Sequence, residues 1–312
     1  MSEVLPVQPV FDGTLRSLDA VYGQLNLEAE RFRGVLAGDH TSKRFGDGFE
    51  TDGVREFEYG DDPRYLDYAE MAKDPLKRLW IRQHYRDITP SVAIVTDALA
   101  DRYEVPTPGY FSERQLLLSG VMAAAIIAEQ HGMPHALVTS EDNLARDPFK
   151  QTRKSLAIDA KQLEKGLSEE VAQPDLRLAS LLRRAARIAT ENVVIVVSDF
   201  RDTMPDDANG WKAPLEALVH HSKNQVIAIE TVNPWDYELP REVRSFSMRG
   251  AKPVTLAGKP GRQVREDYKE VAEAQQQAID AAMQSIGARH IKLDTMRPDW
   301  ITSLREGLRS RR

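Results

Sequence analysis

The sequence contains no cysteine. Disulfides, thiolate metal sites and cysteine nucleophiles are thereby excluded, and the composition fits a reducing compartment. No membrane-spanning stretch is present either. The longest nearly apolar run, Leu116 to Ala128, has thirteen residues and includes Ser119 and Gly120, whereas a spanning helix needs about 20. The start of the chain carries Glu3, Pro6 and Pro9 in place of a basic segment followed by an apolar one, so it does not read as a secretion signal. A cytoplasmic protein without a membrane span is the expectation. A basic excess is also lacking: the formal net charge is −6, and nucleic acid is not the expected partner.

Several catalytic patterns are missing. There is no G-x-x-x-x-G-K-[ST] phosphate loop, and Gly258-Lys259-Pro260-Gly261 reads as a turn. No G-x-S-x-G nucleophile elbow occurs. His131 and His135 are four apart, but Gly132 and Pro134 between them break the helix that a zinc motif requires. His220-His221 reads as a helix end, where histidine is common. A non-enzymatic protein is expected.

What is present is a globular composition, 312 residues with 41% hydrophobic and 29% charged, enough for one large core and a smaller attached unit. A helix is predicted within Thr14 to Gly38, and strands at Val54 to Tyr59 and Leu79 to Tyr85. Between those strands Gly60-Asp61-Asp62-Pro63 reads as a turn into a helix, with Asp62 as cap and Pro63 at the first helical position. Arg64 and Asp67 stand at a spacing that pairs them on one helix face.

After Thr89-Pro90 short apolar β-rich runs alternate with helices. Strands are predicted at Ser91 to Thr96, His135 to Thr139, Val193 to Val197, Gln225 to Thr231 and His290 to Leu293. Helices are predicted at Ser112 to Gln130, Asp175 to Thr190, Pro214 to His221, Arg262 to Ile286 and Pro298 to Leu308. The Asp175 helix carries a basic face of Arg177, Arg183, Arg184 and Arg187, solvated or meeting an acidic partner. Continuous apolar strands alternating with helices define an α/β fold, a doubly wound and mostly parallel sheet covered on both faces. Residues 1–88 are expected to hold the N-terminal helix and a small α/β unit, and 89–312 the sheet domain. A short β excursion is expected near 240–257.

Ligands of such sheets bind beyond the carboxyl ends of the strands, where the chain order reverses. Asp97 follows one predicted central strand and Asp199 another, with Asp101 and Asp202 close behind. Carboxylates gathered at one sheet edge repel unless a cation relieves them, and oxygen ligands suit Mg²⁺ or Ca²⁺. Capping of the following helices is the simpler role for the same aspartates.

The blocks Gly46-Asp47-Gly48-Phe49-Glu50, Val54-Arg55-Glu56-Phe57 and Gly60-Asp61-Asp62-Pro63-Arg64-Tyr65-Leu66-Asp67-Tyr68 resemble the signature of the bacterial domain-of-unknown-function fifty-eight family. The similarity continues through Asp97, Ser198-Asp199-Phe200 and Asn233-Pro234-Trp235-Asp236-Tyr237-Glu238-Leu239-Pro240. The resemblance implies a domain of the von Willebrand factor A type. It also implies a MoxR-type AAA+ ATPase as partner, with the protein acting as an adaptor or chaperone-like factor on a client protein. Arg55, Glu56, Gly60, Asp61, Asp62, Arg64 and Asp67 would then be a partner-binding or structural signature. The family fold's metal-ion-dependent adhesion site reads D-x-S-x-S, where this chain has Asp97-Ala98-Leu99-Ala100-Asp101. The alternative function is accordingly a divalent-metal-dependent ligand-binding module on a degenerate site of Asp97, Asp101 and Asp199.

Overall fold

The computed structural model describes residues 7–12, 14–27, 51–58, 63–76, 78–84, 91–100, 103, 109–139, 156–168, 177–189, 193–220, 224–239, 245–246, 254–255 and 258–309. The chain divides into two compact units, one of residues 37–90 and one of residues 1–36 with 91–312. The N-terminal helix, expected beside the signature region, therefore belongs with the sheet.

In the smaller unit, strands β1 (Thr51–Glu56) and β2 (Trp80–His84) pair antiparallel, Val54 opposite Arg82 and Glu56 opposite Trp80. Between the two strands lie a single tight turn, Pro63–Tyr65, and the helix Tyr68–Lys73. The sequence reading placed the cap at Asp62, which lies outside the described residues together with Gly60 and Asp61. The helix that forms starts later and is capped by Asp67, whose Oδ1 accepts from the N–H groups of Ala69 (2.9 Å) and Glu70 (3.2 Å). The tight turn uses up the residues after Pro63, so the first free N–H groups of a regular helix arise at Ala69 and Glu70. Asp67 Oδ2 takes Arg82 Nε at 2.9 Å, so its ion pair ties the helix to β2 and replaces the expected pairing with Arg64. Asp74, which ends the helix, accepts from Arg78 Nε (2.7 Å) and Trp80 Nε1 (2.9 Å). The Arg78 guanidinium holds the Asp74 carboxyl down to about 2.

The larger unit is built on five strands: β3 (Val92–Thr96), β4 (His135–Val138), β5 (Val193–Ser198), β6 (Gln225–Val232) and β9 (Arg289–Asp294). All neighbours are parallel, in the order β4-β3-β5-β6-β9. Counted along the chain within the sheet this is 2-1-3-4-5, one of the two common doubly wound orders, with its switch point between β3 and β5. Every residue of β3, β4 and β5 is buried. Each buried valine, leucine or isoleucine contributes about 1.5–3 kcal/mol, which is why the apolar runs settle at the centre. The excursion is present as β7 (Ser245–Phe246) paired antiparallel with β8 (Val254–Thr255).

The helix Glu113–Gln130 starts in a capping box between Ser112 and Gln115 and is buried nearly all round. On one side it presses on the sheet: a Cβ added at Gly120 would stand 3.1 Å from Val197 Cγ1. On the other, Phe11 N–H donates to Ser119 Oγ at 2.8 Å, and the helix Leu15–Leu27 buries Leu18, Val21 and Leu25. The thirteen-residue apolar run is thus a core helix, and no helix of the described residues is long and apolar enough to cross a membrane.

Two helices depart from expectation. Leu156–Ser168 is a helix that the sequence reading did not place; Leu156, Ala160 and Leu163 form its buried stripe. The segment Gly258-Lys259-Pro260-Gly261, read as a turn, is the first turn of the helix Gly258–Ile286. Proline is tolerated there because first-turn N–H groups have no intrahelical acceptor to lose.

Candidate functional site

Thr96 of β3 lies opposite Val197 of β5, so Asp97 is level with Ser198 and Asp199 follows one residue beyond. The two aspartates leave adjacent strands on the same rim, at the switch point. Their roles differ. Asp97 is fully buried; its Oδ2 accepts from the Ser198 hydroxyl (2.9 Å) and its Oδ1 from the Tyr103 hydroxyl (3.2 Å). The Tyr103 oxygen in turn accepts from the Asp199 N–H at 3.3 Å. Asp97 is therefore a clamp that ties the turn after β3 to the end of β5. Asp199 Oδ1 accepts from the Arg201 N–H (3.0 Å) across a tight turn. Asp202 Oδ2, from the segment after β5, accepts from the Leu178 N–H at 3.0 Å at the start of the arginine-rich helix Leu178–Ile188.

Between Asp199 and Arg201 stands Phe200 with φ +58°, a left-handed non-glycine residue. Such residues are strained, and surrounding bonds impose this one. Trp211 Nε1 donates to Phe200 O (2.9 Å), the two rings meet edge to face at 5.1 Å, and Phe200 N–H donates to Ser198 Oγ (3.1 Å). The kink places the Asp199 carboxylate and the Arg201 side chain on the same cavity.

That cavity, of about 270 Å³, is lined by Glu113, Asp199, Asp236, Arg201, Tyr103 and Tyr268 among others. Glu113 opens the core helix; its two oxygens accept from the Thr231 hydroxyl (3.3 Å) and the Asn233 amide (2.9 Å). Asn233, just past β6, also donates its N–H to Asp236 Oδ2 (2.8 Å). Burial pushes the Asp236 carboxyl up to about 6, against the pull of Arg201. The Arg201 guanidinium, 9% exposed, lies 3.7 Å from Asp236 and 3.9 Å from Glu230. It also donates to Gln276 and stands 5.5 Å above the Tyr237 ring. Its Nε is buried and has no hydrogen-bond acceptor among the described residues.

Behind Arg201 sits a second polar cluster. Glu230 of β6 is fully buried and stands 2.7 Å from His290 Nε2. Lys292 Nζ lies 2.7 Å from Asp280 and 3.8 Å from Glu230. Donor atoms of Glu230, Asp280 and His290 fall within 4.8 Å of one another, a spacing open to a cation, yet the Lys292 ammonium already supplies positive charge at that place.

At the site expected for Mg²⁺ or Ca²⁺ each Asp97 oxygen accepts from a buried hydroxyl and Asp199 Oδ1 from the Arg201 N–H, while such a cation takes about six or more oxygen ligands. Leu99, at the motif's serine position, is a packing residue: a Cβ added at Gly166 would stand 2.5 Å from Leu99 Cδ1. Asp101 lies outside the described residues. Of the signature residues, Arg55 and Glu56 sit in β1, Arg64 in the tight turn and Asp67 at the helix cap.

Sequence reasoning missed Tyr103, Glu113, Arg201, Asp236 and Glu230. Two of them stood beside motifs already singled out, Arg201 one residue after Ser198-Asp199-Phe200 and Asp236 within Asn233 to Pro240.

The fold and rim define an open parallel α/β protein with a polar cavity beyond the carboxyl ends of its strands. The family model described as "Protein of unknown function DUF58" matches residues 53–278, and the chain belongs to that family. It is similar to an uncharacterized protein of Mycobacterium tuberculosis, 25% identical over 308 residues, covering 97% of this chain and 90% of the relative. An uncharacterized protein of Mycobacterium avium is 30% identical over 132 residues, covering 42% of this chain and 72% of the relative.

Proposed function

We propose that this protein is a non-enzymatic interaction module of the von Willebrand factor A type, acting as an adaptor or chaperone-like partner of a MoxR-type AAA+ ATPase on a client protein. The observation that carries the reading is the placement of Asp97 and Asp199 on one rim at the switch point, beside an open polar cavity. Proteins of this architecture use that rim for ligands. The ATPase enters through the family resemblance. The chemistry of the rim supports binding over catalysis: the Ser198 hydroxyl, 2.9 Å from Asp97, is buried and committed to Asp97 and Phe200. Co-purification with the cognate ATPase, with and without nucleotide, tests the proposal; failure to form a complex in either state defeats it.

The metal-dependent alternative draws on the same adjacency of Asp97 and Asp199. Calorimetric titration with Mg²⁺ and with Ca²⁺, wild type against Asp97→Ala, separates the two. On the adaptor reading neither ion gives a heat that depends on Asp97.

A further inference from the structure

The two edges of the parallel sheet are finished differently. At one edge every residue of β4 is buried, and the helix Leu156–Ser168 reaches it through Asp159, 2.7 Å from His135. At the other, β9 ends the strand order, and among the described residues no strand pairs with its outer side. Successive residues of a parallel strand turn their N–H and C=O groups to opposite sides. The Thr295 N–H bonds inward to Val232 O at 3.0 Å, so Ile291 and Leu293 serve β6 while His290 and Lys292 turn theirs outward. Such a row of groups is a template for another chain.

Proteins that leave an edge unused blunt it with proline, a bulge, an outstanding lysine or a covering helix. β9 has no proline, and its register with β6 runs unbroken from Arg289 to Asp294. Lys292 does not stand over the edge, because its ammonium is drawn to Asp280 of the helix Gly258–Ile286 at 2.7 Å. The helix Trp300–Arg309 covers a face of the strand: a Cβ added at Gly307 would stand 2.6 Å from Ile291 Cγ2. Ile291 and Lys292 thus serve helices on opposite faces, and neither helix takes the place of a strand.

A cavity of about 480 Å³ is lined by residues 288–292 together with Arg297, Ser303, Glu306 and Gly307. Consecutive strand residues point to opposite faces, so a space lined by that whole run follows the edge. Its charge narrows the occupant. Among the described residues, Arg289, Lys292 and Arg297 line it against Glu306. Lys292 and Arg297 have carboxylates nearby, in Asp280 and Asp299. The Arg289 guanidinium donates to the Leu308 carbonyl at 2.6 Å and forms no ion pair among the described residues. It is the charge left to be met.

We propose that β9 receives an extended acidic segment of a partner protein as a further strand. The segment's backbone meets His290 and Lys292, and one of its carboxylates meets Arg289. This surface lies outside the rim on which the interaction-module reading rests, and the two stand separately. The test uses the full chain, labelled with ¹⁵N, and three acetylated, amidated hexapeptides at millimolar concentration. One alternates valine with glutamate, one alternates valine with lysine, and the last is the valine–glutamate sequence with its backbone nitrogens methylated. The first should slow exchange of the His290 and Lys292 amide protons by about tenfold or more, and the other two should not. Arg289→Gln, which keeps an N–H for the Leu308 carbonyl, should weaken the effect. Lys292→Pro, a change that an outward-facing edge position tolerates, should abolish it at His290.

Equal protection from all three peptides, protection that Arg289→Gln leaves unchanged, or no protection of either amide would each overturn the proposal. So would protection that grows with protein concentration in the absence of peptide, which assigns the edge to a second copy of the chain. A chain that binds the ATPase while the acidic peptide leaves β9 unprotected defeats this inference alone. One that takes the peptide along β9 but binds no ATPase defeats only the adaptor reading.

Discussion

Phe200 offers the sharpest test of how the rim is built. A non-glycine residue in the left-handed region costs about 1–2 kcal/mol, and Phe200 holds φ +58° while fully buried against Trp211. Phe200→Ala keeps that backbone cost and loses the ring, for an expected destabilisation of about 3–5 kcal/mol. Phe200→Gly loses the same ring. At an ordinary position glycine would be worse than alanine by about 0.5–1 kcal/mol, through backbone entropy. Here it also removes the left-handed cost, so the glycine variant should be the more stable of the two by about 0.5–1 kcal/mol. Urea unfolding followed by tryptophan fluorescence reads the difference, since Trp211 packs directly on the altered side chain. A glycine variant equal to or less stable than the alanine variant would show that the kink is unstrained. It would also remove the argument that surrounding bonds force Asp199 and Arg201 toward one cavity.

Tyr103→Phe deletes the hydroxyl that joins Asp97 to the Asp199 N–H and should cost about 1–3 kcal/mol, measured by the same unfolding assay. Asp236 binds its proton more tightly in the folded state, at about 6, than at the ordinary 3.8. Folded protein therefore holds the extra proton between those values, and stability should fall as pH rises from about 4 to about 6, by ~3 kcal/mol in all. Unfolding midpoints across that range should show this slope in wild type and lose it in Asp236→Asn. Asp67→Ala removes both the helix cap and the Arg82 partner, whereas Asp67→Asn keeps an oxygen for the cap. Hydrogen exchange at Ala69 and Glu70 should accelerate in the alanine variant and change little in the asparagine one.

The sheet was legible because its central strands are apolar without interruption: Val92 to Thr96 and Val193 to Val197 can be satisfied only by burial on both faces. The strand-end aspartates were legible for the same reason, as charge at the point where the apolar run stops. The helix Leu156–Ser168 escaped because Asp159, Lys161, Glu164 and Lys165 interleave its apolar stripe. Part of that polarity is itself structural, since Asp159 is buried 2.7 Å from His135. Proline at 63 does open a short helical turn, Pro63–Tyr65, whereas the separate helix Tyr68–Lys73, capped by Asp67, carried no such signal.

The cavity could not have been read in advance, and its residues show why. Glu113, Arg201, Asp236 and Tyr268 lie far apart in the chain and share no spacing. They meet because parallel strands deliver their carboxyl ends to one rim while Gly120 lets the core helix, with Glu113 in its first turn, press onto the sheet. What the sequence did carry was the order of chemistry at each strand end: Asp97 after β3, Asp199 and Arg201 after β5, Asn233 and Asp236 after β6. A parallel sheet makes such endings neighbours whatever their separation in the chain. The residue types that terminate consecutive apolar runs, compared side by side, therefore hold more of a crevice's identity than any one motif does.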